Sequence, residues 1–467
     1  MQKSVKFSLF LALFLTVLHL AAQVQPVKYV FLFIGDGMAL QQRIAAEQFS
    51  KATRGKGLII NAMPASGLTT THSASSSVTD SAASGTAIAC GTKTTNGVLG
   101  LDVNGKKLES VAEVAFKNGR KVAIISSVPI NHATPAAFYA KQSHRSKYYA
   151  IGEEAIASNF DYFGGGGFLK SSDNGKTDLY ALAAKSGYTV ARTIPEARAL
   201  KTGKGKIIST PYGASLPLAI DKTPEDLRLA FFVKQAIAHL GTEKPFFIMA
   251  EGGSIDSCGH ANDGASNVRE TLEFDDAVAV AYEFYKKHPK DTLIVVTGDH
   301  ETGGMSLGCE ARQQYEGGLV SKTRYSFNVV LAAKQTKSLY GIRKHFEELY
   351  AAGKLASWDM AKKEITAVSG LIFSGKSKGK SSTRKLSAKE EKLLKSIFEK
   401  EFAKDRKCDK LHRQIVDFVN AKAGIGWTTG SHTGIPLNTT AVGKNMEMFS
   451  NMYDNTDIAK RLKLMVK

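Results

Sequence analysis

The chain has 467 residues, 43% of them hydrophobic and 22% charged, which is globular composition and excludes a disordered or low-complexity protein. Lys and Arg number 62 against 43 Asp and Glu, a net charge of +19 that suits anionic partners, although no nucleic-acid-binding motif accompanies it. Four cysteines (Cys90, Cys258, Cys309, Cys408) lack C-x-x-C spacing, which excludes a thiolate zinc site and a dense disulfide framework; buried free thiols are expected rather than a Cys258–Cys309 bridge.

The N-terminus carries Lys3 and Lys6, an apolar run from Phe7 to about Leu20, then Ala21 and Ala22. That is the pattern of a secretory signal peptide over 1–22, too short for a comfortable membrane span, so 23–467 is expected to be exported, periplasmic or secreted. The run "VKYVFLFI" (Val27–Ile34) follows, continuous in bulky residues as a strand buried on both faces would be, and leads into "GDG" with Asp36. Next comes "VTDSAASGTAIACG" (Val78–Gly91), in which Asp80 can cap a helix whose first turn holds Ser81. Free backbone N–H groups at such a helix end favour an anion, and the small residues around Ser81 leave room for one.

"LESVAEVAFKNG" (Leu108–Gly119) predicts a helix, and "KVAIIS" (Lys121–Ser126) a second strand, followed by "NHATP" with His132 and Thr134. "FGGGGF" (Phe163–Phe168) predicts tight turns. A third strand, "PFFIMA" (Pro245–Ala250), runs into "EGGSID" with Glu251 and Asp256, and His260 stands one helical turn beyond Asp256. A fourth, "DTLIVVT" (Asp291–Thr297), runs into "GDHETGG" with Asp299 and His300. Alternating strands and helices predict an α/β fold with a mostly parallel central sheet flanked by helices. In such sheets the ligand site lies beyond the carboxyl ends of the strands, so these polar clusters converge on one edge.

Toward the C-terminus a basic region, Ser374–Arg413, contains a capped amphipathic helix starting near Ser387, with Glu390 at capping-box spacing and Leu393, Leu394, Ile397, Phe398 and Phe402 on one face. A solvated surface helix explains its lysines. His432 then appears in "TTGSHTG". Asp36, Glu251, Asp256, His260, Asp299, His300 and His432 form a nitrogen-and-oxygen donor set that suits zinc, with carboxylate to spare for magnesium. So many charges at one sheet edge repel unless cations hold them. Serine needs a base or a metal to attack, which Ser81 would find there, and Arg145 is a candidate bidentate clamp for phosphate oxygens.

"FIGDGM", "VTDSAASGTA", "ATPAA" with Arg145, "EGGSID" with His260, "TGDH" and "GSHTG" occur in this order and closely resemble the alkaline phosphatases from about Val27 to His432. The resemblance implies Ser81 as nucleophile, Arg145 as phosphate clamp and Asp80 as the residue that helps place the arginine. It implies one Zn2+ held by Asp256, His260 and His432, another by Asp36, Asp299 and His300, and a third metal, normally Mg2+, by Asp36, Thr134 and Glu251. Some family members carry aspartate where His132 stands beside the third metal; a neutral imidazole there favours a softer ion. The implied reaction is hydrolysis of phosphate monoesters through a phosphoserine, with broad specificity and an alkaline optimum, by a homodimer. The segment 312–425 is expected to be an insertion hung on the core, since His432 must return to the site.

Three rival functions fit part of the same residue set. A phosphodiesterase, sulfatase or phosphoglycerate mutase on this scaffold shares the two-metal site, but Arg145 and the serine of "DSAAS" favour a monoesterase. "GMSLG" (Gly304–Gly308) matches the nucleophile elbow of an α/β-hydrolase, yet it does not leave a strand directly. An exported phosphate- or metal-binding protein would account for the ligands and the charge but not for a serine aimed at the anion.

Overall fold

The computed structural model describes residues 24–173, 175–308, 327–373, 384–404 and 408–467; the expected signal peptide and Cys309 lie outside them. Ten strands form the main sheet: β1 (Tyr29–Gly35), β2 (Ala65–Thr70), β3 (Lys121–Pro129), β4 (Tyr162–Gly166), β5 (Tyr188–Ala191), β6 (Lys206–Ser209), β7 (Phe246–Gly252), β8 (Thr292–Gly298), β9 (Leu437–Gly443) and β10 (Asn451–Asp454). Their order is β10-β2-β9-β8-β1-β7-β3-β4-β6-β5. Only β9 runs against its two neighbours, β2 and β8.

The four strands expected from the apolar runs are β8, β1, β7 and β3, and they sit side by side in the middle of the sheet. Alternate residues feed opposite layers: Tyr29, Phe31 and Phe33 enter one hydrophobic core, Val30, Leu32 and Ile34 the other. Helices Leu40–Arg54, Leu229–Leu240 and Gly264–Lys287 cover the first face, and Ser81–Cys90, Val111–Lys117 and Thr456–Val466 the second. Each large side chain buried this way contributes about 1.5–3 kcal/mol, which is why continuous apolar runs are stable only at the centre of such a sandwich.

Register brings the strand ends level. Ile34 pairs with both Glu251 and Thr297, Gly35 with Gly252 and Gly298, and Ser126 with Glu251. The polar residues after β1, β7 and β8 therefore emerge together. The glycine tract departs from expectation, because Tyr162–Gly166 is a buried strand and not a turn. A Cβ on Gly165, at φ +112, would fall 1.9 Å from the Ser126 carbonyl oxygen, and one on Gly166 would fall 2.4 Å from the Val128 oxygen. Glycine is used here for close backbone approach to β3.

The predicted helix after Leu108 spans Val111–Lys117 and opens on a Ser110–Glu113 capping box. The basic helix spans Ala388–Lys404, with the Ser387–Glu390 reciprocal bonds in place and Leu394 and Phe398 buried. It packs with helices Leu339–Ala351, Trp358–Ser369 and Leu411–Ala423. Ser306–Leu307 pairs antiparallel with Ile425–Gly426. Among the described residues no helix is long and apolar enough to cross a membrane. Cys90, Cys258 and Cys408 are buried free thiols.

Candidate active site

Asp80 caps the helix Ser81–Cys90, its carboxylate accepting from the Ala83 N–H at 3.0 Å. Ser81 is thereby held in the first turn, 2% exposed, with its Oγ 3.1 Å from His300 Nε2. The small residues of this helix serve packing: a Cβ on Gly85 would stand 3.2 Å from the Ala137 Cβ and 3.3 Å from the Thr134 Cα. Serine helix and "ATPA" turn can therefore nestle together, which sets Thr134 beside the site.

Asp80 also holds Arg145, whose Nη1 donates to Asp80 Oδ2 at 3.2 Å, while Nη2 lies 3.2 Å from His132 Nε2. Burial alone would raise the Asp80 carboxyl, but N–H bonds from Ala83 and Gly97 and the Arg145 charge outweigh it and keep the pKa below the usual range. Burial, reinforced by the Arg145 charge, pushes His132 down to about 3, so the imidazole is neutral and Nε2 accepts from the guanidinium.

Three groups of metal-ligating atoms surround this pair. Asp256, His260 and His432 form the first. His260 Nδ1 donates to the Gly430 carbonyl at 2.7 Å and His432 Nδ1 to the Thr79 carbonyl at 2.9 Å, which fixes both tautomers. Their bare Nε2 atoms then face each other at 3.2 Å, with Asp256 Oδ1 3.4 and 3.6 Å away. A divalent cation among these three atoms would satisfy them, and a tetrahedral zinc matches the donor set.

The second group is Asp36, Asp256 and His300, where the expected set has Asp299 in place of Asp256; Asp36 Oδ1 and Asp299 Oδ2 each lie 3.4 Å from His300 Nε2. Asp299 uses its other oxygen to accept from Gly37 N–H at 3.1 Å and His300 N–H at 2.9 Å, leaving Oδ2 for the site. The third group is Asp36, His132 and Glu251. Thr134 Oγ1 lies 3.4 Å from Asp36 Oδ2 and 3.3 Å from Asp299 Oδ2. Ser126, at the close approach of β3, donates to Glu251 Oε2.

Electrostatics point to missing positive charge. Burial, then the neighbouring Asp299, Asp256 and Glu251 charges, raises Asp36 well above the carboxylate range; burial likewise raises Asp299, and takes Glu251 up to about 8. Asp36 Oδ1, Glu251 Oε1 and His132 Nδ1 are buried without a hydrogen-bond partner. The two orphaned carboxylate oxygens, converging among acids, fit divalent cations, whereas His132 Nδ1 carries the ring proton while Nε2 accepts from Arg145.

Every residue singled out from the sequence lies in this one constellation. His132, expected near the third metal, contributes an atom to that cluster itself. Sequence reasoning missed the residues that hold the ligands, among them Ser126, Glu301, Thr302, and Asn455, which donates to Ser84 Oγ at 3.0 Å while Ser84 donates to the Asp299 carbonyl at 2.6 Å. "GMSLG" carries no elbow, since Ser306 sits in the short strand paired with Gly426.

The family model described as Alkaline phosphatase matches residues 27–161 and 212–467. The interval left out carries β4, β5 and β6, the far end of the sheet. Alkaline phosphatase 4 of Bacillus subtilis (strain 168) is 29% identical over 396 residues, covering 82% of this chain and 75% of that protein. The repressible alkaline phosphatase of Saccharomyces cerevisiae is 26% identical over 473 residues, covering 92% and 78%. Among solved structures, the cold-active alkaline phosphatase of a Shewanella species superposes with a TM-score of 0.79 at 26% identity, covering 94% of this chain and all 100% of that one. The Thermus thermophilus alkaline phosphatase, at 24% identity and a TM-score of 0.75, shares the fold over 94% of this chain and 91% of that one.

Proposed function

This chain belongs to the alkaline phosphatase family and is a phosphoric monoester hydrolase, and on that premise we propose that it passes the phosphoryl group of a broad range of monoesters through Ser81 to water. The observation that carries this reading is the placement of Ser81 Oγ, buried at a helix N-terminus, 3.1 Å from His300 Nε2 and one residue after the Asp80 that holds Arg145.

Zinc at the Asp256–His260–His432 and Asp36–Asp299–His300 clusters and a third divalent ion at Asp36, Glu251 and Thr134, with His132 beside it, would supply, when bound, charge neutralisation, a more acidic serine hydroxyl and a hold on the phosphoryl oxygens. Ser81 Oγ bonds phosphorus as the ester oxygen departs with the bonding pair and takes up a proton. Water then attacks the phosphoserine, its oxygen bonding phosphorus as Ser81 Oγ departs with the bonding pair and takes one of the water's protons, and phosphate leaves. Arg145, held at one nitrogen by Asp80 and at another by neutral His132, receives two phosphate oxygens in its planar fork. The helix N–H groups add partial positive charge.

Broad specificity follows from where these groups point. None of them addresses the alcohol, and among the expected ligands His260 is the solvent-facing one, its side chain 42% exposed. Phosphoryl transfer is chiefly positioning and electrostatics, so the alcohol need not be recognised. At the third cluster a neutral imidazole replaces a carboxylate's charge, and we read magnesium there as open to competition by softer divalent ions.

Residues 1–22 are read as an export signal, to be checked by N-terminal sequencing of the mature protein, and the helices between 327 and 423 as an insertion on a single catalytic domain. A homodimer is the proposed assembly; exposed Leu68 and Met452, paired across β2 and β10, offer apolar surface, and light scattering decides it. The activity is tested with p-nitrophenyl phosphate at alkaline pH. Wild-type protein loaded with zinc and magnesium should turn over, and chelated protein and Ser81→Ala should not. Full turnover by Ser81→Ala would overturn the proposal.

A further inference from the structure

Thr302 belongs to none of the ligand clusters, yet its hydroxyl touches two of them. It is fully buried, with Oγ1 2.5 Å from Asp256 Oδ1 and 3.2 Å from His300 Nδ1. Asp256 faces the His260–His432 pair; His300 faces Ser81, Asp36 and Asp299. One side chain therefore stands between the two zinc clusters.

The surrounding backbone is shaped to admit it. A Cβ on Gly37, at φ +71, would lie 2.9 Å from Thr302 Oγ1 and 2.7 Å from the Asp256 Cα. One on Gly259 would lie 3.0 Å from both the Cβ and Cγ2 of Thr302. The Thr302 N–H donates to the Gly37 carbonyl at 3.3 Å, and Thr302 pairs with His432 in a short antiparallel ribbon. Two glycines and a ribbon hold the hydroxyl in one place.

The hydrogen-bond sense is then forced. The Asp256 oxygen is the acceptor, so Thr302 gives its proton to Asp256, and the hydroxyl oxygen is left to accept. His300 Nδ1 must supply the N–H, which leaves Nε2 unprotonated and pointed at Ser81. We propose that Thr302 is a positioning residue that couples the two zinc clusters, setting the His300 tautomer with one side of its hydroxyl and the Asp256 orientation with the other. In the metal-free protein the Ser81 hydroxyl donates into the same Nε2 lone pair. The coupling rests on the ligand sets proposed above, and the tautomer does not.

The test uses full-length protein carrying 15N-labelled histidine, as wild type, Thr302→Val and Thr302→Ser. Valine keeps the shape and removes the hydroxyl; serine keeps the hydroxyl. Two-bond 1H–15N correlations should report Nδ1–H for His300 in metal-free wild type and Thr302→Ser, and loss of that preference in Thr302→Val. Zinc titration against a competing chelator should show both sites weakened about 10- to 100-fold in Thr302→Val. Thr302→Ser should restore both. An Nε2–H tautomer in wild type, readable even if the valine variant fails to fold, would overturn the proposal. So would two wild-type zinc affinities in folded Thr302→Val. Wild-type protein that binds no zinc would instead overturn the ligand reading, and the tautomer would still decide the role of Thr302 toward His300.

Discussion

Asp80 performs two jobs with one carboxylate, and substitutions can separate them. Oδ1 caps the serine helix through Ala83 N–H at 3.0 Å, and Oδ2 holds Arg145 at 3.2 Å. Asp80→Ala removes both. Loss of the cap costs about 1 kcal/mol of stability. The charged hydrogen bond to Arg145 would be worth about 1.5–3 kcal/mol if buried. Both side chains are about a fifth exposed, at 21% and 23%, and screening reduces the bond to about 1–2 kcal/mol. If that energy pre-organises the guanidinium, inorganic phosphate should bind about five- to thirtyfold more weakly to Asp80→Ala, with the His132 contact retaining the rest. Asp80→Asn keeps a good cap without the charge. It should lose less stability than Asp80→Ala in denaturant unfolding and weaken phosphate less than alanine does. Because the Asp80 pKa is depressed, its contribution is complete above the ordinary carboxylate range and lost only as pH falls below it, so alkaline assays see it in full. Undiminished phosphate affinity in Asp80→Ala, or equal destabilisation by Ala and Asn, would refute the reasoning.

Metal removal should make stability fall with rising pH. The Glu251 pKa moves from 4.5 up to about 8 on folding, so the native chain binds the extra proton between those values and loses stability as pH rises through them, with Asp36 and Asp299 acting in the same sense. Melting scans of chelated protein from about pH 5 to about pH 8 check this, and bound zinc and magnesium should abolish the slope. His132→Asp adds a carboxylate to Asp36 and Glu251; titration with magnesium, with activity as readout, should show tighter binding and less competition by zinc. Gly165→Ala drives a Cβ into the Ser126 carbonyl at a positive φ, and should cost about 2–4 kcal/mol in denaturant unfolding. Because Ser126 also donates to Glu251, a folded Gly165→Ala should bind the third metal less tightly.

What could be read from the sequence follows from burial. β1, β3, β7 and β8 are covered on both faces, so their apolar runs are unbroken, and the ligands beyond β1, β7 and β8 are legible as soon as the strands are. β2 alternates buried and exposed residues over six positions, and β4 is mostly glycine; neither carries the periodicity that marks a central strand. The ligand positions were visible because histidine and aspartate are few and clustered in motifs. Their supports were not. Thr302 and Glu301 lie inside "GDHETGG" and look like turn residues until the ribbon with His432–Thr433 is seen. Ser84 and Asn455 are 371 positions apart, and no local pattern joins them.

The central claim is that Ser81 carries the phosphoryl group. Metal-loaded wild-type protein should be mixed with p-nitrophenyl phosphate, quenched in acid, digested and mapped by mass spectrometry. The account predicts phosphate on Ser81 in the peptide containing Val78–Gly91, and none in Ser81→Ala. A phosphoryl group on another residue, or rapid turnover by Ser81→Ala, would contradict it.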